Sequence, residues 1–225
     1  MIETSQLTST KAIELENKYG AHNYHPLPVV LDRGEGVFVW DVEGNRYYDF
    51  LSAYSAVNQG HCHPRIVNAL TEQAKKLTLT SRAFYNSRLG EFEAYITDYF
   101  KFDKFLPMNS GAEAVESAIK IARKYAYEKR GVEQNQAKII VAEDNFHGRT
   151  TTIISFSNDE DARNNFGPYT PGFISVKYND LEALEAALGE DNVAAFMVEP
   201  IQGEAGVNNP SDDYIKKARA LCLKH

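Results

Sequence analysis

The chain has 225 residues, 43% of them hydrophobic and 24% charged, the balance of an ordinary globular protein with a core to bury. A formal charge of −7 and a pI near 5.4 exclude a general electrostatic pull toward nucleic acid or an anionic membrane surface. The first 18 residues carry no apolar signal core, no apolar run is long enough to cross a bilayer, and Cys62 and Cys222 stand far apart with no framework spacing. A reducing, cytoplasmic setting is expected.

Taken in chain order, Ser5 to Tyr19 reads as a short polar helix leading into the loop from Gly20 to Pro26. Val37, Val39 and Asp41 then alternate with Phe38 and Trp40, and Glu43-Gly44-Asn45 turns the chain into a strand over Arg46 to Phe50. Strands with no helix between them predict a small antiparallel layer. Helices follow at Pro64 to Leu77, with proline in the favourable first turn, and at Leu89 to Phe100. A third runs from Ala112 to Lys129, with Val115, Ala118, Ile119, Ala122 and Ala126 on one stripe. The basic residues Lys120, Arg123, Lys124, Lys129 and Arg130 share the helix with Glu113, Glu116 and Glu128, which is the pattern of a solvated face. Buried strands are expected at Ala137–Ala142, Thr152–Phe156, Phe173–Tyr178 and Val193–Val198, with helices at Leu181–Leu188 and Asp212–Leu223. Cys222 falls on the apolar side of the last helix and is expected in the core. Alternating strands and helices give an α/β fold with a mostly parallel, doubly wound sheet. The last helix should feed a further strand, so the architecture reads as incomplete.

Three segments could carry chemistry. In Asn109-Ser110-Gly111-Ala112-Glu113, Ser110 caps the third helix and Glu113 stands where a capping box needs it. Gly111 and Ala112 leave first-turn N–H groups open to an anion, although a well-capped helix with no ligand reads the same way. Asn145-Phe146-His147-Gly148-Arg149-Thr150 follows a strand, where open α/β sheets bind ligands. There a ring could stack on a flat cofactor and an arginine could grip a carboxylate; the alternative is a surface loop with one arginine. Glu199 to Gly206 places two carboxylates in a glycine-rich loop at another strand end, either a polar site or a solvated turn. His61-Cys62-His63 lacks a second ligand pair at zinc-like spacing and is read as a turn into the helix at Pro64.

Together, AHNYHPLPVVL (21–31), DVEGNRYYDFLSAYSAVNQGHCHP (41–64), LTLTSRAFYN (77–86), PMNSGAEAVE (107–116), NFHGRT (145–150), FGPYTPGF (166–173) and VAAFMVEPIQGEAGV (193–207) resemble the class III aminotransferases. The similarity is greatest to their ornithine δ-aminotransferase branch and covers the chain after about residue 18. It implies a fold type I, aspartate-aminotransferase-like enzyme that uses pyridoxal 5'-phosphate (PLP) and has its sites at a homodimer interface. Residues 1–52 would be an N-terminal segment of the small domain, and 53–225 an incomplete PLP-binding large domain.

By position, the resemblance implies that Gly111 and Ala112 present N–H groups to the cofactor phosphate and that Phe146 stacks on its ring. Glu199 would be an acid near the cofactor, and Arg149 would bind a substrate carboxylate. Tyr24 and Tyr54 would line the pocket for the α-amino acid end of the donor. Glu204 would pair with an arginine during the ornithine half-reaction and release it for 2-oxoglutarate. The implied reaction moves the δ-amino group of ornithine to 2-oxoglutarate, giving glutamate-5-semialdehyde and glutamate. The family's Schiff-base lysine, the aspartate facing the pyridine nitrogen and the arginine partner of Glu204 have no counterpart among residues 1–225, so this chain alone is expected to be inactive. Acetylornithine or 4-aminobutyrate aminotransferase is the alternative within the fold, with Tyr54 and Glu204 favouring ornithine. A non-catalytic binding or dimerisation protein is the alternative of another class.

Overall fold

Asp41 organises the first part of the chain. Its buried carboxylate accepts the Asn45 N–H at 2.7 Å, the Asn45 side-chain amide at 2.9 Å and the Tyr47 hydroxyl at 2.8 Å. These bonds, the Asn45 side chain first, hold its pKa below the usual carboxylate range. They also close the turn between β2 (Phe38–Asp41) and β3 (Arg46–Tyr48). With β1 (Leu31–Glu35) these strands form an antiparallel meander in the order β1-β2-β3. The sequence pattern reveals β2 and β3 but not β1, whose Leu31-Asp32-Arg33-Gly34-Glu35 has no apolar alternation. β3 ends at Tyr48 rather than Phe50 because Asp49 turns its side chain to the next segment.

The computed structural model describes residues 7–225, so the first residues of the helix expected from Ser5 lie outside it. Helix α1 runs Ser9–Tyr19, with the Thr8 hydroxyl accepting the Lys11 N–H. After β3 comes a single turn, α2 (Ser52–Ser55), in which Ser52, Ala53, Tyr54 and Ser55 have φ of 49°, 48°, 55° and 68°. The left-handed region costs a residue with a Cβ roughly 1–2 kcal/mol. Four in succession therefore require outside support. Helix α3 (Pro64–Lys76) buries no residue. The chain forms two compact units, one ending at Ala94 and the other running from Tyr95 to His225; α4 (Leu89–Phe100) crosses the division.

The second unit is built on β4 (Lys138–Ala142), the central strand of a parallel sheet ordered β5-β4-β6, with β5 at Phe173–Val176 and β6 at Val193–Met197. Alternate β4 side chains face opposite layers. Ile139 and Val141 pack with Ile119 of α5 (Gly111–Lys129), and Ile140 packs with Leu184 of α7 (Leu181–Leu188) and Ala218 of α8 (Tyr214–Lys224). Burial on both faces explains why β4 reads as a continuous apolar run. The doubly wound α/β expectation holds here, and α7 has the bounds its pattern predicts.

Two expectations are corrected. Thr152–Phe156 is not a strand: Ile153–Phe156 forms a turn of 3₁₀ helix, with the Ile154 N–H bonded to the Thr150 carbonyl. Both edges of β4 are already taken by β5 and β6. Ile153, Ile154 and Phe156 are buried nonetheless, and a short buried apolar run has the same composition in either conformation. Cys222 is exposed rather than core, because Ala218 and Leu221 take the inner face of α8. Between the 3₁₀ turn and β5, a short helix α6 (Glu160–Arg163) is capped by Asp159.

Candidate active site

The site grows from the carboxyl end of β4, where the chain must leave the sheet with its backbone groups satisfied. Asn145 is buried, and its amide donates to the Ala142 carbonyl at 2.6 Å and the Phe156 carbonyl at 3.4 Å. The Asp144 N–H donates to Asn158 Oδ1 at 2.8 Å. This frame carries Phe146, His147, Gly148 and Arg149. Gly148 has φ of +121°, and a Cβ there would lie 3.0 Å from the Ala112 methyl and 3.1 Å from Ile153 Cδ1. Only glycine lets the loop press against the start of α5. Thr150 adds a second tie, donating its hydroxyl to Glu116 Oε1 of α5 at 2.5 Å.

The third segment joins from the end of β6. Glu199 Oε2 accepts the Phe146 N–H at 3.0 Å. Burial pushes the Glu199 pKa up, and the bond from Phe146 opposes that shift. Gln202, almost fully buried, donates its amide to the Glu143 carbonyl at 2.7 Å, and its backbone pairs with Asn208 in both directions to close the acidic loop. The Tyr178 hydroxyl donates to the Glu199 and Pro200 carbonyls, at 3.2 and 3.0 Å. Burial, then the Glu199 charge, raises its pKa.

Gly111, Ala112, Phe146 and Glu199 are therefore brought into one neighbourhood. Ser110 caps α5 through a 3.2 Å bond from the Glu113 N–H, and Glu113 accepts from the Ser110 hydroxyl and the Asn109 amide. That is a variant of the anticipated capping box, in which glutamate would reach the backbone of Ser110. Nothing lies within 4 Å of where a Gly111 side chain would begin, so the first turn of α5 is open. Phe146 is 42% exposed, leaving ring surface available, and the Arg149 guanidinium carbon sits 5.6 Å from its centroid. A cleft of about 290 Å³ lies beside the loop, lined by Phe146, His147, Gly148, Asp144, Asp159 and Glu204 among others. Burial lowers the His147 pKa, and its Nε2 has no partner among the described residues.

Sequence reasoning missed Tyr178, the Glu116–Thr150 tie and the bracing role of Gln202. Gln202 lay inside a singled-out motif; Tyr178 and Glu116 had no signal beyond their positions on a strand end and a helix face. Tyr24 and Tyr54 belong to the first unit. Tyr24 lines a depression with His22 and His25, and Tyr54 sits 68% exposed on the left-handed turn. His61 is paired with Asp49 at 2.7 Å.

A glycine-led helix start, an aromatic-arginine loop and an acidic loop are gathered beyond the strand ends of a doubly wound sheet, the position at which open α/β sheets take their ligands. The family model for class III aminotransferases matches residues 19–225, and the chain belongs to that family. Pyridoxal phosphate is the family's cofactor. The chain is 64% identical over 210 residues to a mitochondrial ornithine aminotransferase of Drosophila ananassae, covering 93% of this chain and 49% of that protein. Among solved structures, the ornithine aminotransferase of Toxoplasma gondii superposes with a TM-score of 0.95 at 50% identity, covering 96% of this chain and 51% of that one; its active site is described with partial PLP occupancy. An acetylornithine aminotransferase from Elizabethkingia anophelis is 60% identical with a TM-score of 0.84, covering 97% and 51%. The chain spans about half the length of these relatives.

The expected cytoplasmic setting is corrected by the same comparison: the relatives from Drosophila, Caenorhabditis elegans and rat are named as mitochondrial. Unpaired cysteines argue for a reducing compartment but do not distinguish one such compartment from another.

Proposed function

We propose that this chain is the cofactor-cradling part of an ornithine δ-aminotransferase, which moves the δ-amino group of ornithine to 2-oxoglutarate and yields glutamate-5-semialdehyde and glutamate. The observation that carries the reading is the Phe146 N–H bond to Glu199, made while Gly148 abuts Ala112. One loop thereby links the open helix start to the acidic strand end. The residues fit PLP. The first-turn N–H groups at Gly111 and Ala112 suit a phosphate, the Phe146 ring suits a flat heteroaromatic face, and Glu199 braces the Phe146 backbone. When bound, the cofactor serves as an electron sink for amino-group transfer.

The chain's own residues bind and orient. Arg149 takes a substrate carboxylate, and Tyr24 and Tyr54 receive the α-amino acid end of the donor. Asp144, Asp159 and Glu204 line the cleft with acid, which favours a cationic diamine. Glu204 also holds an arginine from outside residues 1–225 until 2-oxoglutarate needs it. No lysine lines the cleft among the described residues, and the lysine that carries the cofactor is assigned to a part of the enzyme outside this chain. Residues 1–52 are assigned to the small domain, 53–225 to the large domain, and the working unit to a homodimer.

The 60% identity to an acetylornithine aminotransferase supports a second reading, in which the donor carries an acetylated α-amino group. Donor kinetics on the complete PLP-loaded enzyme separate the two. Ornithine should exceed N-acetylornithine and 4-aminobutyrate in kcat/KM by about tenfold or more, the discrimination available to a site built to pair the free α-amino group. Equal or better use of N-acetylornithine overturns the ornithine assignment. Borohydride reduction and peptide mapping of the same preparation should find the cofactor outside residues 1–225; an adduct on a lysine of this chain overturns that part.

A further inference from the structure

The left-handed turn Ser52–Ser55 has no apolar support: the turn buries no residue, and Phe50, Leu51 and Tyr54 around it are 94%, 61% and 68% exposed. Packing cannot be what holds four unfavourable φ values in place. Hydrogen bonds do so: the N–H groups of Ser55, Ala56 and Val57 donate to the carbonyls of Leu51, Ala53 and Ser52 within the turn, and one carboxylate anchors its start. Asp49 Oδ1 accepts the N–H groups of Leu51 at 3.1 Å and Ser52 at 2.8 Å, and the Ser52 hydroxyl reaches back to the Asp49 carbonyl at 3.4 Å. The other oxygen, Oδ2, lies 2.7 Å from His61 Nε2. These bonds, those to the Ser52 backbone and His61 foremost, hold the Asp49 pKa low, so it is an anion when it grips the turn.

His61 is itself fixed. Its backbone bonds Gly36 in both directions, at 2.8 and 3.0 Å, and its ring lies over Gly34, where a Cβ would come within 2.7 Å. The Asp49 N–H is tied to the Val37 carbonyl at 2.9 Å. The meander therefore supplies a rigid base, His61 and Asp49 transmit it, and the turn presents Tyr54.

We propose that Asp49, oriented by His61, is a positioning residue that sets Tyr54 for the amine donor. The inference rests on the reading of Tyr54 as part of the donor pocket. His61 thus has a use that the metal-like spacing of His61-Cys62-His63 conceals.

The test is run on the complete PLP-loaded enzyme. Asp49→Ala should raise the KM for ornithine about tenfold while the KM for 2-oxoglutarate stays within about twofold, because only the donor's placement is lost. Its crystal structure should show Ser52–Ser55 out of the left-handed region. Asp49→Asn keeps one oxygen for the two backbone N–H groups and should recover most of the loss. If Asp49→Ala does not fold, the same donor-selective KM rise, smaller in size, is read from Asp49→Asn. An unchanged turn in the variant, or equal loss for both substrates, overturns the inference. Tyr54→Phe is the control: if it leaves ornithine KM unchanged, the donor-pocket reading falls, while the crystal structure still decides whether Asp49 holds the turn.

Discussion

The two compact units hold their shapes by different means. Residues 95–225 contain nearly all of the buried apolar residues, from Ile119 to Ala218, with Ile140 and Val141 wholly enclosed. The unit up to Ala94 buries Val39 and Asp41, while Leu27, Phe50, Leu79 and Tyr85 are each more than 80% exposed. In the second unit a sheet covered on both faces supplies the stability, and hydrogen bonds refine the loops. In the first, carboxylates do the organising: Asp41 closes a turn and Asp49 holds another. These exposed apolar side chains are the surface that the proposed homodimer would have to cover.

The largest expected effect tests that contrast. Ile140→Ala empties the centre of the sheet and should cost about 2–5 kcal/mol in urea denaturation of this chain. Tyr85→Ala, at a fully exposed ring, should cost less than about 0.5 kcal/mol. Similar costs would mean that the division into a packed and a clamped unit is mistaken. Next comes Gly148→Ala, which forces a side chain into a left-handed backbone and against Ala112; about 1–3 kcal/mol of destabilisation is expected. In the complete enzyme the same change should weaken PLP retention, read from the cofactor's absorbance after dialysis. Unchanged retention would show that loop and helix need not touch. The smallest effect concerns His147, whose pKa burial lowers from 6.5. The unfolded chain then takes up the proton first, so the stability contributed by neutral His147 is complete above pH 6.5 and lost as pH falls below it. His147→Phe should flatten the fall in melting temperature between pH 6.5 and 5; an unaltered slope would place the acid sensitivity elsewhere.

The second unit was also the more legible in the sequence. Leu181–Leu188 and the Gly111–Lys129 stripe show themselves through helical periodicity, and β4 and β6 through short apolar runs. The 3₁₀ turn at Ile153–Phe156 did not, because composition reports burial and not the partner strand that a β conformation needs. β1 and the left-handed turn were illegible for a related reason. Their residues are ordinary: β1 is chosen by its pairing with β2, and the left-handed turn is gripped by Asp49 just before it, a contact that composition does not mark.

At the site, the sequence by itself determined which side chains are available: an open helix start, a Phe-His-Gly-Arg loop and a Glu-Pro-Ile-Gln-Gly-Glu loop, each beside an element with a strong local signal. Local rules reach that far because capping, periodicity and glycine placement act over a few residues. Tertiary structure alone decided that Phe146 hands its N–H to Glu199, 53 positions away, that Thr150 ties to Glu116, and that Tyr178 and Gln202 brace the acidic loop. The bonds of Phe146, Tyr178 and Gln202 depend on the order of strands in the sheet, which sets β4 between β5 and β6, and that of Thr150 on α5 packing against β4; no short-range pattern encodes either.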